Sequence, residues 1–148
     1  MNRKTKDKKR IFSAFVSLTL AVSAGCAGGG QAFSLTTNFN EYANEELNET
    51  LFDEIISGFD SDIWDFMTLS PEKPITGSTF LQVGAPQEIA DFQYTLEIGF
   101  FDEKSGLKMY RLYSEDRNAV SQIFVDYWRE QKIPDISLWE DVSAEMRR

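Results

Sequence analysis

The residue types that carry most enzyme chemistry are scarce in this chain, which leaves carboxylates as its main reactive groups. The 148 residues include no histidine, and the one cysteine, Cys26, is expected to be occupied by the modification considered below, so neither residue type supplies a catalytic base, nucleophile or zinc ligand. No glycine-rich phosphate loop, Ser-x-x-Lys or Gly-x-Ser-x-Gly pattern occurs. A pair of carboxylates could still act in glycoside hydrolysis. Glu97 is the most distinctive candidate because it lies in the middle of a predicted strand, although a solvated strand face explains it equally well.

A cluster of three carboxylates at Asp60, Asp62 and Asp65 suggests calcium binding, but its spacing is wrong. An EF-hand loop needs oxygen ligands at positions 1, 3 and 5, glycine at position 6 and glutamate at position 12. Counted from Asp60, positions 5 and 12 are Trp64 and Pro71, and position 6 is Asp65. The pattern instead favours a capped short helix over 62–68, and we expect neither a metal nor another cofactor.

Aromatic residues are the remaining candidates for a binding surface. Several lie on a predicted hairpin, and hairpins rich in aromatic side chains can bind sugars or peptides. Core packing accounts for most of these rings, because each buries a large apolar area. We expect three of them to lie partly in the core and partly at the surface, and we name them as candidates for partner binding: Tyr110, Trp128 and Trp139.

The chain is acidic, with 15 basic and 24 acidic residues and a formal net charge of −9. A surface of this sign repels phosphate backbones and anionic headgroups, so we expect no nucleic-acid partner and no direct adsorption to a membrane. The charge suits cationic partners. Alternatively it only keeps the domain soluble, and this second explanation needs fewer assumptions.

Residues 1–25 have the three parts of an export signal. The start is basic, Ile11–Ser23 is apolar, and Ala24-Gly25 precedes Cys26 and a run of three glycines, Gly28–Gly30. This stretch resembles the signal peptide of bacterial lipoproteins, in which the cysteine receives a diacylglyceryl group and becomes the first residue of the mature protein. The resemblance covers the leader alone. The alternative is an uncleaved anchor, but Ile11–Ser23 spans only about 20 Å as a helix against a hydrocarbon core of about 30 Å.

The resemblance implies that acylated Cys26 attaches the protein to a bilayer, outside the cytoplasmic membrane or at the outer membrane. The leader carries six basic residues and one acidic residue, so the 123 residues from Cys26 onward keep nine basic and 23 acidic residues, a net charge of −14. Because the only thiol is acylated, no disulfide is available to the domain. We expect a flexible tether over 26–35 and a single domain over 36–148 that is a monomer.

Apolar spacing predicts the helices of this domain. Residues three and four apart predict a long amphipathic helix over 39–57 that ends at Gly58. A second long helix begins after Ser114 and stops before Pro134. A capping-box pattern at 137–140 predicts a short terminal helix, with a strand over 136–142 as the alternative.

Strict alternation of apolar and polar residues predicts the strands. The clearest alternation runs from Phe92 to Phe100, and a polar loop ending in glycine predicts Leu107–Tyr113 as its antiparallel partner. Thr79–Ala85 is the remaining predicted strand. The expected fold is therefore α+β, with a small antiparallel sheet of about three strands, two long helices and two short ones.

These features favour a lipid-anchored, exported, non-enzymatic domain that binds a protein or peptide at the cell envelope. The alternative is a carboxylate-based hydrolase acting on envelope polysaccharide. The two functions differ in geometry, because hydrolysis needs two carboxylates about 5–10 Å apart in a pocket with aromatic walls.

Overall fold

The computed structural model describes residues 30–59, 64–85 and 94–147, whose centre is a seven-stranded antiparallel sheet. Across the sheet the strand order is β2-β1-β3-β4-β5-β6-β7. Two α-helices and two 3-10 turns, at Asn44–Glu46 and Ser143–Arg147, complete the described part of the chain. The elements are β1 (Phe33–Thr37), β2 (Glu41–Tyr42), α1 (Glu49–Gly58), β3 (Phe66–Pro71), β4 (Ser78–Gly84), β5 (Tyr94–Asp102), β6 (Gly106–Ser114), α2 (Arg117–Arg129) and β7 (Glu140–Asp141).

The fold is α+β, but the expected sheet of about three strands is wrong, because the described residues form seven. Two of the additional strands, β2 and β7, have two residues each, which is too short for any alternation to be visible. The strand β1 does alternate, with Phe33 and Leu35 buried and Ser34 exposed. It begins at Phe33, so the last three residues of the predicted tether belong to the sheet.

The long helix expected over 39–57 is also wrong in extent, since α1 begins at Glu49. The chain first forms a turn at Thr37. Its Oγ1 accepts hydrogen bonds from the backbone N–H groups of Phe39 (3.3 Å) and Asn40 (3.0 Å) and so closes the β1–β2 turn. Asn48 then caps α1, because its Oδ1 accepts from Leu51 N at 2.9 Å. Local side-chain hydrogen bonds thus compete successfully with helix formation over the first ten predicted residues.

The short helix expected over 62–68 is replaced, from Phe66 onward, by β3. Met67 and Leu69 are fully buried, while the intervening Thr68 is half-buried, which is the alternation of a strand. Neighbouring strands on both sides, β1 and β4, supply the hydrogen bonds that a helix would otherwise make internally. At the other end of the chain, the expected terminal helix is replaced by β7 and the 3-10 turn at Ser143–Arg147.

Both helices pack on one face of the sheet and form the main core with it. Glu49, the first residue of α1, pairs with Arg129 at the end of α2 at 2.5 Å, and Arg117 Nη1 donates to Ser57 Oγ at 3.3 Å. The helices are therefore antiparallel. Tyr127 of α2 is fully buried and shares a 2.8 Å hydrogen bond with the Ser78 hydroxyl, and burial raises the pKa of Tyr127 to about 12.

The second face of the sheet contains a close contact between β4 and β5. Phe80 and Gly99 are register partners, and an ideal Cβ built on Gly99 would lie 2.1 Å from Phe80 Cε1. We expect Gly99→Ala to lower the free energy of unfolding by about 1–3 kcal/mol, because the methyl group must displace the ring. Denaturant unfolding of the variant measures this loss.

Phe80→Leu supplies the matched background, since leucine lacks Cε1 and Cζ, the two ring atoms nearest to the new methyl group. In that background Gly99→Ala should cost less than in the wild type. An equal cost in both backgrounds would show that the ring does not cause the loss.

Candidate functional site

Five polar side chains line up across five neighbouring strands of the sheet. Their backbones are direct register partners from β1 to β6. Because side chains alternate along a strand, all five lie on the face opposite the helices. We call this set the polar row: Thr36, Thr68, Gln82, Glu97 and Arg111.

Hydrogen bonds join four members of the polar row. Thr68 Oγ1 donates to Gln82 Oε1 at 2.7 Å, and Gln82 Nε2 donates to Glu97 Oε2 at 3.2 Å. Arg111 donates to Glu97 Oε1 through Nε at 2.8 Å and Nη2 at 2.7 Å. Glu97 is only 4% exposed, so a buried carboxylate is bound on both of its oxygens.

Arg111 is shared between two carboxylates. Its Nη1 lies 3.0 Å from Glu145 Oε2, on the C-terminal 3-10 turn, and the Glu145 side chain is 57% exposed. Burial alone would lower the pKa of the Arg111 guanidinium, but the hydrogen bond to Glu97 and the charges of Glu97 and Glu145 raise that pKa above its ordinary value. The guanidinium therefore remains a fixed positive charge between one buried and one exposed carboxylate.

This arrangement suits a structural role for Glu97 better than acid–base catalysis. A general acid must deliver a proton to its substrate, whereas both oxygens of Glu97 already bind Gln82 and Arg111. A nucleophile must meet its substrate, whereas Glu97 is buried behind its own partners. The ion pair connects β5 to β6, and Gln82 and Thr68 extend the connection to β4 and β3.

The three aromatic residues named from the sequence lie in three different settings. Trp139 is 8% exposed and belongs to the main core, and Tyr110 packs edge-on against Phe100 with ring centroids 5.9 Å apart. Trp128 is half-buried, edge-on against Phe52 at 5.4 Å. Each ring thus packs against its own neighbours inside the fold, and the three do not form one exposed surface.

Sequence reasoning missed the most exposed aromatic side chain among the described residues, Phe39, which is 68% exposed in the β1–β2 turn. Its ring packs edge-on against Trp64, with centroids 5.8 Å apart and an interplanar angle of 62°. Trp64 lies directly over Gly58, where an ideal Cβ would come within 1.9 Å of Trp64 Cδ1. The sequence pattern placed Phe39 on the apolar stripe of a predicted helix, so nothing in the sequence indicated that this ring would be exposed.

One backbone hydrogen bond and one bond between a side chain and the backbone order the two segments that carry the Phe39–Trp64 pair. Thr37 N donates to Asn40 O at 2.8 Å across the turn that carries Phe39. Asn38 Oδ1 accepts from Asp65 N at 3.2 Å, which ties this turn to the residue after Trp64. An ordered side chain loses less conformational freedom on binding than a mobile one, so the pair is suited to contact a partner.

No group of three or more metal-ligating side chains occurs in the part of the chain that the structure describes. No helix in that part is both long and apolar enough to cross a membrane. Cys26 and the Asp60–Ile63 portion of the acidic cluster lie outside the described residues, so the predictions made for them stay predictions.

Comparison with known proteins identified no relative of this chain. The chain matches no protein-family model, no curated protein and no solved structure.

Proposed function

We propose that this chain is a lipid-anchored, exported, non-enzymatic domain that binds a protein or peptide at the cell envelope. The hydrogen bonding of Glu97 is the observation that favours this proposal over the hydrolase alternative. Glu97 was the most distinctive candidate for the acid or nucleophile of that alternative, but both of its oxygens are bound, to Arg111 and to Gln82. Glu97 therefore stabilises the sheet and leaves the surface of the domain to carry the function.

The Phe39–Trp64 pair supports the binding part of the proposal. Aromatic side chains that are both exposed and ordered before binding often contribute strongly to protein-binding energy. Phe39 has both properties, because it is 68% exposed and its turn is hydrogen-bonded. The remaining parts of the proposal, export and lipid attachment, rest on the leader and Cys26.

Site-specific photo-crosslinking tests the binding proposal. A photoreactive residue at position 39 of the full-length lipoprotein should give a saturable adduct with an envelope protein. The same residue at position 138, where Leu138 is 88% exposed, is the matched control and should give little of that adduct. Equal labelling from both positions, or none from position 39, contradicts a binding surface at this pair.

A digestion assay tests the hydrolase alternative. The purified lipoprotein should release no sugar from isolated envelope polysaccharide. Release by the wild type that is lost in Glu97→Gln would overturn the non-enzymatic proposal, because this change keeps the side-chain shape and removes the carboxylate.

A further inference from the structure

The start of the domain is fixed by the side-chain amide of Gln31. Its Oε1 accepts a hydrogen bond from Lys73 N at 2.7 Å, in the turn between β3 and β4, and its Nε2 donates to Gln131 Oε1 at 3.3 Å, just after α2. The next residue, Ala32, accepts through its carbonyl oxygen from Glu72 N at 2.9 Å. The chain is therefore attached to two other parts of the domain before β1 begins.

Few residues separate this attachment from the proposed lipid. Gly30 is the first described residue, and Cys26 precedes it by four positions. Because an extended chain advances at most about 3.6 Å per residue, the two Cα atoms are separated by at most about 14 Å. A domain whose Cys26 is acylated thus keeps the end that carries Gln31 close to the bilayer.

Turns from distant parts of the sequence lie at this end of the domain. Strand register places the end of β3 beside the start of β1, with Pro71 opposite Phe33. Phe101 N donates to Gly77 O at 3.0 Å, which brings the β5–β6 turn to the β3–β4 turn. Gln131 brings the residues that follow α2. We call this set the tether end: Gln31, residues 72–77, residues 102–108 and residues 130–132.

The tether end differs in charge from the rest of the domain. Its charges balance, because it holds four lysines and four carboxylates. The other residues from Cys26 onward carry the net charge of −14, with five basic and 19 acidic residues. The 3-10 turn Asn44–Glu46 borders this end, because Asn44 Oδ1 accepts from Phe33 N at 2.9 Å, and its two glutamates lower the balance only to −2. An anionic bilayer therefore repels the tether end least.

The lysines of the tether end are available to a partner. All four are exposed, and the ion pairs among the described residues are formed by arginine side chains. The charge of Lys108 acts on Asp102 and Asp141, which leaves three lysines for an external partner: Lys73, Lys104 and Lys132. Phe101, beside the β5–β6 turn, is 57% exposed, and aromatic side chains are favoured at the level of lipid headgroups. Cationic and aromatic side chains together suit an anionic lipid surface.

We infer that the tether end is a contact surface for anionic lipid headgroups, which its three lysines reach once acylated Cys26 holds the domain at the bilayer. This inference rests on the proposed lipid attachment and adds the orientation of the domain. Each lysine near an anionic surface strengthens binding about fivefold. That is too little to recruit a domain with a net charge of −14, but it is enough to orient a domain that the lipid already holds.

This orientation also places the Phe39–Trp64 pair. The strand β1 leads away from Gln31, and the β1–β2 turn that carries Phe39 lies at its far end. Trp64 lies just before β3, which runs back toward the tether end. The pair is therefore turned away from the bilayer, where an envelope protein can contact it.

Quenching of a fluorescent label by nitroxide-labelled lipids tests this orientation in the full-length acylated protein. Ser105→Cys places the label in the β5–β6 turn, and Asn118→Cys places it in the first turn of α2, at the opposite end of the domain. Acylation occupies the thiol of Cys26, so each variant offers one thiol to the label. In anionic vesicles with nitroxides on the headgroups, we expect stronger quenching at position 105 than at position 118.

Lysine variants separate headgroup contact from the reach of the tether alone. Lys73→Gln and Lys132→Gln should each lower the ratio of quenched to unquenched label at position 105 about threefold to fivefold in anionic vesicles. Arg117→Gln removes a positive charge at the start of α2 and should leave this ratio unchanged. In vesicles of phosphatidylcholine, all three variants should match the wild type. Equal quenching at both label positions, or no response to the lysine variants, overturns the inference.

Failure of the proposed lipid attachment gives a different result. A protein without acyl chains would not enter the vesicles, and its intact mass would contain no acyl group. That outcome overturns the attachment and the inference together, whereas equal quenching in a protein of the acylated mass overturns the inference alone. Unfolding curves that match the wild type exclude misfolding of the variants.

Discussion

Replacing Arg111 by methionine lowers the free energy of unfolding by about 3–5 kcal/mol, because the change leaves a buried carboxylate without its counter-charge. Glu97 is 4% exposed, and Arg111 supplies both hydrogen bonds to its Oε1. Methionine preserves much of the length of the arginine side chain, so lost packing accounts for little of the effect. Urea unfolding at neutral pH measures the loss.

Glu145→Gln is the control for this prediction, since Glu145 contacts the same guanidinium from an exposed position. An exposed ion pair contributes about 0–1 kcal/mol, so this variant should remain close to the wild type. The double variant Glu97→Leu with Arg111→Met should recover much of the stability lost in Arg111→Met, because it removes the buried charge as well as its partner. Equal losses in Arg111→Met and Glu145→Gln would contradict a buried ion pair.

We expect the change of Cys26 to serine to abolish the proposed lipid attachment and to leave the full precursor. In the proposed lipoprotein the Cys26 thiol receives the diacylglyceryl group, and the sequence has no second cysteine to replace it. The wild-type protein extracted from membranes should begin at Cys26 and carry added acyl mass, whereas Cys26→Ser should begin at Met1. Intact mass spectrometry distinguishes these species.

Vesicle flotation completes this test. Residues 26–148 carrying Cys26→Ser should not float with anionic vesicles, because the −14 net charge of the segment opposes binding and a stable anchor needs about two acyl chains. Flotation of this protein would reveal a membrane-binding surface in the domain. A wild-type polypeptide that still begins at Met1, or a mature Cys26 without acyl mass, would contradict the lipoprotein assignment.

The elements that the sequence predicted well depend on contacts between residues that are close in the chain. The hairpin of β5 and β6 is confirmed, with register pairs from Tyr94 and Ser114 to Asp102 and Gly106. The helix α2 is confirmed at Arg117–Arg129, where Asp116 caps its start. Alternation, a polar loop and a cap are local signals, so no tertiary information is needed to detect them.

The elements that the sequence missed are stabilised by distant partners. The strand β3 lies between β1 and β4, and β1 lies between β2 and β3. Phe39 and Leu47 have helical spacing, yet Phe39 is exposed in a turn and Leu47 is buried beyond the end of β2. Tertiary strand pairing overrides a weak helical pattern because it satisfies the backbone and buries apolar side chains on one face.

The sequence by itself determined the lone cysteine, the acidic charge and the prominence of Glu97, and it predicts the export leader, because each depends on residue type and order alone. Only the tertiary structure decided what surrounds Glu97. Gln82 and Arg111 are 15 and 14 residues away in the chain, and strand register makes them hydrogen-bonding neighbours. Register also placed the β1–β2 turn beside Trp64, which gives the domain its Phe39–Trp64 pair. A one-residue shift would send these side chains to the opposite face, so residue type cannot establish either contact without the pairing of the strands.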